Sequence, residues 1–316
     1  MLSPSASAQK PQVMGWIPAY GLEKSMQALQ QESHILSGLS RVGLQFWNPS
    51  ADGRSLVFAP INKEGKLLQV TEVRQVITWL KARKIKVLLT VYNNSQVINK
   101  WDWALAKRAF KDYPKEFSKS LIATMRQFDL DGIDLDLEGE GQLDDDRTAY
   151  AQFVRDLSRA LKKENKLLTI DSFHSPCANA PNMRWWEDWR GQVDAIHSMG
   201  YQDLYEGSTA SFTPDGQAIC EGGAAIFKYS WQLAYGLKSG FRKDQIVMGM
   251  PTWLDSWGEG GMGSGISAHL QEAKKLGVGI ALWDLQLAAV PWRSKALWIE
   301  IAQLRRVPKQ TARSSP

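Results

Sequence analysis

Three acids at alternate positions, Asp134, Asp136 and Glu138, are the residues of this chain best placed to do chemistry. They belong to the stretch Asp131-Gly132-Ile133-Asp134-Leu135-Asp136-Leu137-Glu138, with Ile133, Leu135 and Leu137 between them. Side chains of a strand alternate between its two faces, so one face is aliphatic and the other is a ladder of carboxylates. A strand buried on both faces is normally apolar throughout. Acids separated by roughly 7 Å of strand rise cannot all ionise at low cost, so a proton should be shared. Glu138, at the carboxyl end of the run, is expected to keep one near neutral pH, which is the state a general acid needs. A Mg²⁺ or Ca²⁺ site and a structural polar core are the competing readings. Alternate residues of one strand do not surround an ion, and no calcium-loop spacing is present, so no metal site is assigned. Asp131 is out of phase with the other three acids and is expected to be structural, with Gly132 beside it.

Such a strand needs neighbours. Apolar runs at Val13 to Ile17, Val42 to Phe46, Ile85 to Val91, Leu167 to Phe173, Val193 to Tyr201, Ile246 to Thr252 and Val278 to Asp284 read as seven more strands. Helical spacing separates many of them, as at Val73, Val76, Ile77 and Leu80, at Leu121, Met125 and Phe128, and at Tyr150, Phe153, Val154, Leu157 and Leu161. Weaker helices are expected around Glu23 to Ile35, Ala224 to Leu237 and Lys295 to Arg306. Eight strands alternating with helices, without a solenoid repeat, predict an α/β fold, a (β/α)8 barrel in one domain over 12–306. The stretch 1–11 reads as a flexible leader or the remnant of a processed signal, and 307–316 as a flexible tail. The longest irregular stretches, Trp47 to Lys66, Tyr92 to Trp103, Tyr201 to Gly223 and Trp253 to Gly265, all follow strands, which places them on the active-site face of such a barrel. Cys177 and Cys220 fall on that same face and can be bridged or free.

The 316 residues are 44% hydrophobic with a net charge of +5, enough for a large core and too little basic excess to suggest nucleic acid. The basic residues lie along helices, as at Lys81 to Lys86. No apolar run reaches membrane-spanning length. There is no Gly-x-Ser-x-Gly elbow, and the glycines of Gly258 to Gly265 lack the Lys-Ser/Thr of a phosphate cradle and read as a loop over the site. His174 and His197 stand near strand ends without zinc-ligand spacing and are expected to be hydrogen-bonded structural residues. Trp185, Trp186 and Trp189 lie on a helical stretch and are assigned to packing. Trp253, Trp257 and Trp283 fall at or just after strand ends, where sugar rings stack.

At Asp131 to Glu138 the chain resembles glycoside hydrolase family 18, the chitinase-type family, whose signature Asp-Gly-x-Asp-x-Asp-x-Glu it matches in full. Met199-Gly200-Tyr201 is similar to the family's Met-x-Tyr, and Trp283 to its tryptophan on the eighth strand. The resemblance implies retaining cleavage of β-linked N-acetylglucosamine-containing glycans, chitinase or endo-β-N-acetylglucosaminidase in type, with the substrate's acetamido oxygen as nucleophile. Carried over by position, Glu138 is the acid/base, Asp136 orients the acetamido group, Asp134 shares a proton with Asp136, and Tyr201 hydrogen-bonds the acetamido oxygen. Trp283, Trp253, Tyr92, Asn93, Met199 and Asp203 are the expected substrate-binding residues.

The chain departs from the family pattern at Thr90-Val91-Tyr92-Asn93, where Ser-x-Gly-Gly is common, at Gly139-Glu140-Gly141, and at Tyr201-Gln202-Asp203. A non-catalytic lectin on the same barrel is the alternative, though such proteins usually lack the glutamate. Neither cofactor nor nucleic-acid partner is expected, and a monomer, secreted or periplasmic, is.

Overall fold

The computed structural model describes residues 10–58, 68–95, 100–174, 179–199, 211–212, 218–219, 229–254 and 264–305. Eight strands form the barrel: Val13–Pro18, Arg41–Pro49, Lys86–Tyr92, Gly132–Asp136, Leu167–Ser172, Ala195–Ser198, Ile246–Pro251 and Gly279–Trp283. Each pairs in parallel with the next, and the eighth returns to pair with the first, so the sheet closes. The fold is the (β/α)8 barrel that the strand-helix alternation predicts.

Closure divides the apolar residues into two populations. Outward-facing aliphatics, including Ile133, Leu135 and Leu137, pack under Leu121, Met125, Leu157 and Leu161 of the helices Pro114–Gln127 and Arg147–Lys162, in one continuous buried cluster. A smaller cluster fills the lumen: Met14, Trp16, Leu88, Ala195, Val247 and Ala281. Burying one such side chain contributes about 1.5–3 kcal/mol, so the outer layer carries most of the fold's stability. Trp185, Trp186 and Trp189 are fully buried in the 3-10 segment Met183–Trp189, as packing residues.

Helix ends explain how the strands are delivered. Gln69 and Glu72 form a reciprocal capping box at the start of Val70–Lys81, and Pro114 begins the helix 114–127 where its missing N–H is harmless. Lys84, Asp129 and Asn165 adopt left-handed conformations, with φ of 62°, 52° and 55°, two or three residues before strands three, four and five. Such a residue ends the helix and turns the chain back toward the sheet.

The fourth strand is anchored at its base. Asp131 Oδ2 accepts from Val87 N at 2.9 Å, its own N–H donates to Val87 O at 2.8 Å, and its carbonyl accepts from Leu167 N at 3.0 Å. Asp131 thus stitches strands three, four and five together. Gly132 lies so close to the fifth strand that an added Cβ would stand 2.4 Å from the Leu167 carbonyl oxygen. Hydrogen bonds tie Asp131, and close strand approach ties Gly132, to the neighbouring strands.

Some expected loops carry structure. The second strand runs on to Pro49 and pairs antiparallel with Leu56–Phe58, so Trp47 to Pro49 is strand. Asn94–Ser95 and Lys100–Trp101 form a small antiparallel pair after strand three, and 211–212 pairs with 218–219 after strand six. Between strands seven and eight lies a 13-residue helix, Ser264–Leu276, which the sequence reading had not placed; its first two residues belonged to the expected loop.

Candidate active site

The pleat of the fourth strand sends Asp134 and Asp136 into the lumen, where they are 0% and 2% exposed, and brings half-buried Glu138 two residues beyond the strand end. Asn93, just past the third strand, fixes the Glu138 main chain. Its Nδ2 donates to Glu138 O and its Oδ1 accepts from Glu138 N, both at 2.7 Å. Asn93 is fully buried, so its amide is committed to this peptide rather than open to substrate as the sequence reading had it.

The three acids differ in their hydrogen-bond partners. Asp134 Oδ2 accepts from Trp16 Nε1 and from Thr90 Oγ1, each at 2.9 Å, and its Oδ1 accepts from Thr169 Oγ1. His197 Nδ1 lies 3.3 Å from Asp134 Oδ1 and 2.7 Å from Asp171 Oδ1. Burial alone would raise the pKa of Asp134, but these contacts, His197 foremost, outweigh it and hold the carboxyl below its ordinary value.

Among the described residues, Asp136 has a single amide donor, Gln45 Nε2 at 2.7 Å on Oδ2, and no N–H reaches its Oδ1. The Glu138 carboxyl interacts directly with that of Asp136. Two buried carboxyls side by side favour a shared proton over two negative charges. Burial first, and then the charge of Asp134, push Asp136 up to about 7. Burial and the neighbouring Asp136 push Glu138 well above the usual carboxylate range. The ladder is therefore anionic at its base and protonated toward its rim, which equips Glu138 to donate a proton to a leaving oxygen.

Asp134, Asp171 and His197 bring three potential ligand atoms within 4.8 Å of one another. The set does not suit a cation. The Asp134 oxygens already accept three hydrogen bonds, and the 2.7 Å separation of His197 Nδ1 from Asp171 Oδ1 is a direct hydrogen bond with no room for an ion between them.

At the rim, Trp283 is partly exposed and packs on the lumen cluster, with Trp16 beneath it at 5.8 Å between ring centroids. The space under its indole is thus filled by a second indole. Tyr92 stands beside Asp136 in the strand register, is hydrogen-bonded with Asn48 and meets the edge of Trp101 at 6.3 Å. Asp284, next to Trp283, is 8% exposed and accepts from Gln286 N and Nε2 at 2.8 and 2.9 Å. Burial raises its pKa, opposed by those bonds and by the Tyr20 hydroxyl. Trp253 and Met199 are both partly exposed, at the ends of strands seven and six. Tyr201, Asp203, Cys177, Cys220, Trp257 and the glycines 258–263 lie outside the described residues.

The sequence reading missed Trp16, Gln45, Thr90, Thr169 and Asp171, and gave His197 only a structural part. A signal existed for one pair: Thr169 and Asp171 alternate with Leu168 and Ile170, the same pattern as the acid strand. Gln45, between Leu44 and Phe46, is likewise a lone polar residue in an apolar run.

Comparison with known proteins agrees with this architecture. The protein-family model described as glycosyl hydrolases family 18 matches residues 24–287. A relative in Bacillus subtilis (strain 168), "Uncharacterized glycosylase YvbX", is 26% identical over 200 residues, covering 62% of this chain and 54% of the relative. The chain therefore spans about half the length of that curated relative. Similar folds include the chitinase of Chromobacterium violaceum ATCC 12472, with a TM-score of 0.67 at 14% identity, covering 93% of this chain and 98% of that one. The Bacillus megaterium QM B1551 spore cortex-lytic enzyme SleL gives 0.65 at 14% identity, covering 97% and 78%. A chitinase from Bacteroides thetaiotaomicron gives 0.64 at 20% identity, covering 94% and 97%. With the family model matching most of its length, and with the acid ladder held in a closed barrel, the chain belongs to glycosyl hydrolases family 18.

Proposed function

We propose that the protein hydrolyses β-linked N-acetylglucosamine-containing glycans with retention, Glu138 acting as acid/base and the substrate's acetamido oxygen as nucleophile. The observation that carries this reading is the placement of the acids, with Asp134 and Asp136 buried in the lumen, three donors on Asp134, and Glu138 at the rim, its carboxyl pushed well above the usual range by burial and by Asp136. One acid at the rim suffices for such a reaction, because the nucleophile belongs to the substrate.

In the first step Glu138 protonates the glycosidic oxygen as the acetamido carbonyl attacks the anomeric carbon from the other face. The C–O bond to the leaving sugar breaks and an oxazolinium intermediate forms. Asp136 receives a hydrogen bond from the acetamido N–H and steadies the positive charge that develops there. The Glu138 carboxylate then takes a proton from water, which opens the ring with retention. Tyr201 hydrogen-bonding the acetamido oxygen, and Trp283 stacking a sugar ring, complete the proposed constellation, with Trp253, Tyr92, Met199 and Asp203 as further substrate contacts. The chitinases and the spore cortex-lytic enzyme among the structural relatives support this substrate class.

Glu138→Gln should reduce hydrolysis of an N-acetylglucosamine oligomer by about 10²–10⁴-fold while binding is retained. Mass spectrometry of products from chitin, peptidoglycan, poly-N-acetylglucosamine and N-glycans identifies the polymer. Rapid cleavage of a de-N-acetylated oligomer would rule out the substrate as nucleophile. Sugar binding without hydrolysis by the unaltered protein would mark it as a lectin instead.

A further inference from the structure

The reaction above uses Asp136 and Glu138 over a fixed Asp134, and it leaves Asp171 and His197 without work. Both are buried as deeply as the apolar core, 2% and 0% exposed. Ionisable groups in such a place are costly unless they serve one another. His197 Nδ1 faces Asp171 at 2.7 Å and Asp134 at 3.3 Å, while among the described residues no group meets Nε2. A bare Nε2 is merely an unused acceptor, whereas an Nε2–H would be an orphaned donor, the rarer condition in a protein interior. The pattern of partners therefore puts the ring proton on Nδ1, between the two carboxyls. The edge of the imidazole against Trp16, at 5.2 Å and 87°, fixes the ring plane, and Trp16 itself donates to Asp134.

We propose that Asp171 and His197 are positioning residues of the reaction: they hold one proton beneath Asp134, keep Asp134 the anion of the ladder, and so confine the exchangeable proton to Asp136 and Glu138. The proposal rests on the acid/base reading of Glu138. Its physical content is a count of donors. Among the described residues, Trp16, Thr90, Thr169 and His197 all face Asp134, against Gln45 alone among amide and hydroxyl donors at Asp136. Hydrogen bonds to the charged form favour that form, so a proton shared along the strand settles on the acid with fewer donors. Without His197, Asp134 competes for the proton and the rim acids lose the fixed charge below them.

Among the described residues, the other titratable groups around this layer are Asp136 and Glu138 on the same strand, Arg41 on the second strand and Tyr150 on the helix 147–162. The barrel neighbours of His197 on strand seven and of Thr169 on strand six, Val247 and Ala195, are apolar. None of these supplies a second base for the Nδ1 proton.

Two measurements test the proposal. In protein labelled with ¹⁵N-histidine, the His197 signals, assigned by their loss in a variant, should show the Nδ1–H tautomer at the pH of maximal activity. An Nε2–H tautomer overturns the proposal. In kcat/KM profiles, His197→Leu should move the acid limb upward by about one pH unit, a roughly tenfold change in the ionisation constant, because Asp134 then takes up a proton sooner. His197→Gln keeps an amide N–H and should bring the acid limb most of the way back. A rate that falls equally at every pH, with the limb unmoved, reduces His197 to packing and overturns the proposal. His197→Phe keeps a flat ring against Trp16 and replaces the leucine variant should that one not fold. Failure of the unaltered protein to cleave any N-acetylglucosamine glycan would count against the proposed reaction, and the tautomer would still decide where the proton lies.

Discussion

Asn93 holds the Glu138 peptide by both ends of its amide and leaves the Glu138 carboxyl untouched. Asn93→Ala would strand a buried N–H and a buried carbonyl, each at a cost of about 1–3 kcal/mol. The expected outcome in steady-state kinetics is a kcat at least about tenfold lower with KM changed far less, since the acid is displaced while the sugar contacts remain. Asn93→Asp keeps the acceptor and should fall between the two. The sequence could mark Asn93 as unusual but not say what it does, because its partner is main chain 45 residues away. The acids were legible for the opposite reason: Asp134, Asp136 and Glu138 reveal themselves through their own alternation with Ile133, Leu135 and Leu137. Asp171 shows half of such a pattern, with Thr169 as its companion, and its meaning depends on His197 from the neighbouring strand, which no local spacing discloses.

At the scale of elements, apolar runs locate seven of the eight strands to within a few residues, because a strand inside a closed barrel is buried on both faces, and the alternating acids locate the fourth. Helices were less legible where glycine intervenes. Ser264–Leu276 follows a glycine-rich stretch that reads as loop, and its amphipathic part begins only at Ile266. Hairpins such as Asn94–Ser95 with Lys100–Trp101 are too short to carry a period at all. Gly132 is an element-scale requirement, set by the approach of strand four to strand five. Gly132→Ala drives a methyl toward the Leu167 carbonyl and should destabilise the protein by about 1–3 kcal/mol in urea unfolding, with the loss of activity following the loss of fold.

For the molecule as a whole, the ladder makes stability depend on pH in two opposing ways. The Asp136 carboxyl is raised from 3.8 to about 7, so the folded state keeps a proton that the unfolded chain releases. Its contribution is full below about pH 4 and is lost as pH rises toward about 7. Asp134 is lowered, and its contribution is full above its unfolded pKa and lost in acid. Asp136→Asn should therefore raise Tm by a few degrees at pH 8, at about 2–4 °C per kcal/mol, while leaving it nearly unchanged near pH 4. A thermal melt series across pH checks the sign. Elsewhere the outer layer dominates: Trp298 is fully buried on the last helix, its Nε1 donating to Trp292 O at 2.6 Å, and its indole lies where a side chain at Gly38 would collide. Trp298→Ala should cost about 3–5 kcal/mol without moving either limb of the pH profile.

The span from Asp131 to Glu138 is moored at both ends, to Val87 and Leu167 below and to Asn93 above. A strand that slipped by one residue would turn its acids outward and its aliphatics into the lumen, and it would have to break both moorings to do so. The chain thus carries its own registration mark: the residues that tell the barrel how to close are continuous with those that tell it where to hold a proton. Misfolding of this strand and loss of its chemistry are, for this protein, a single event.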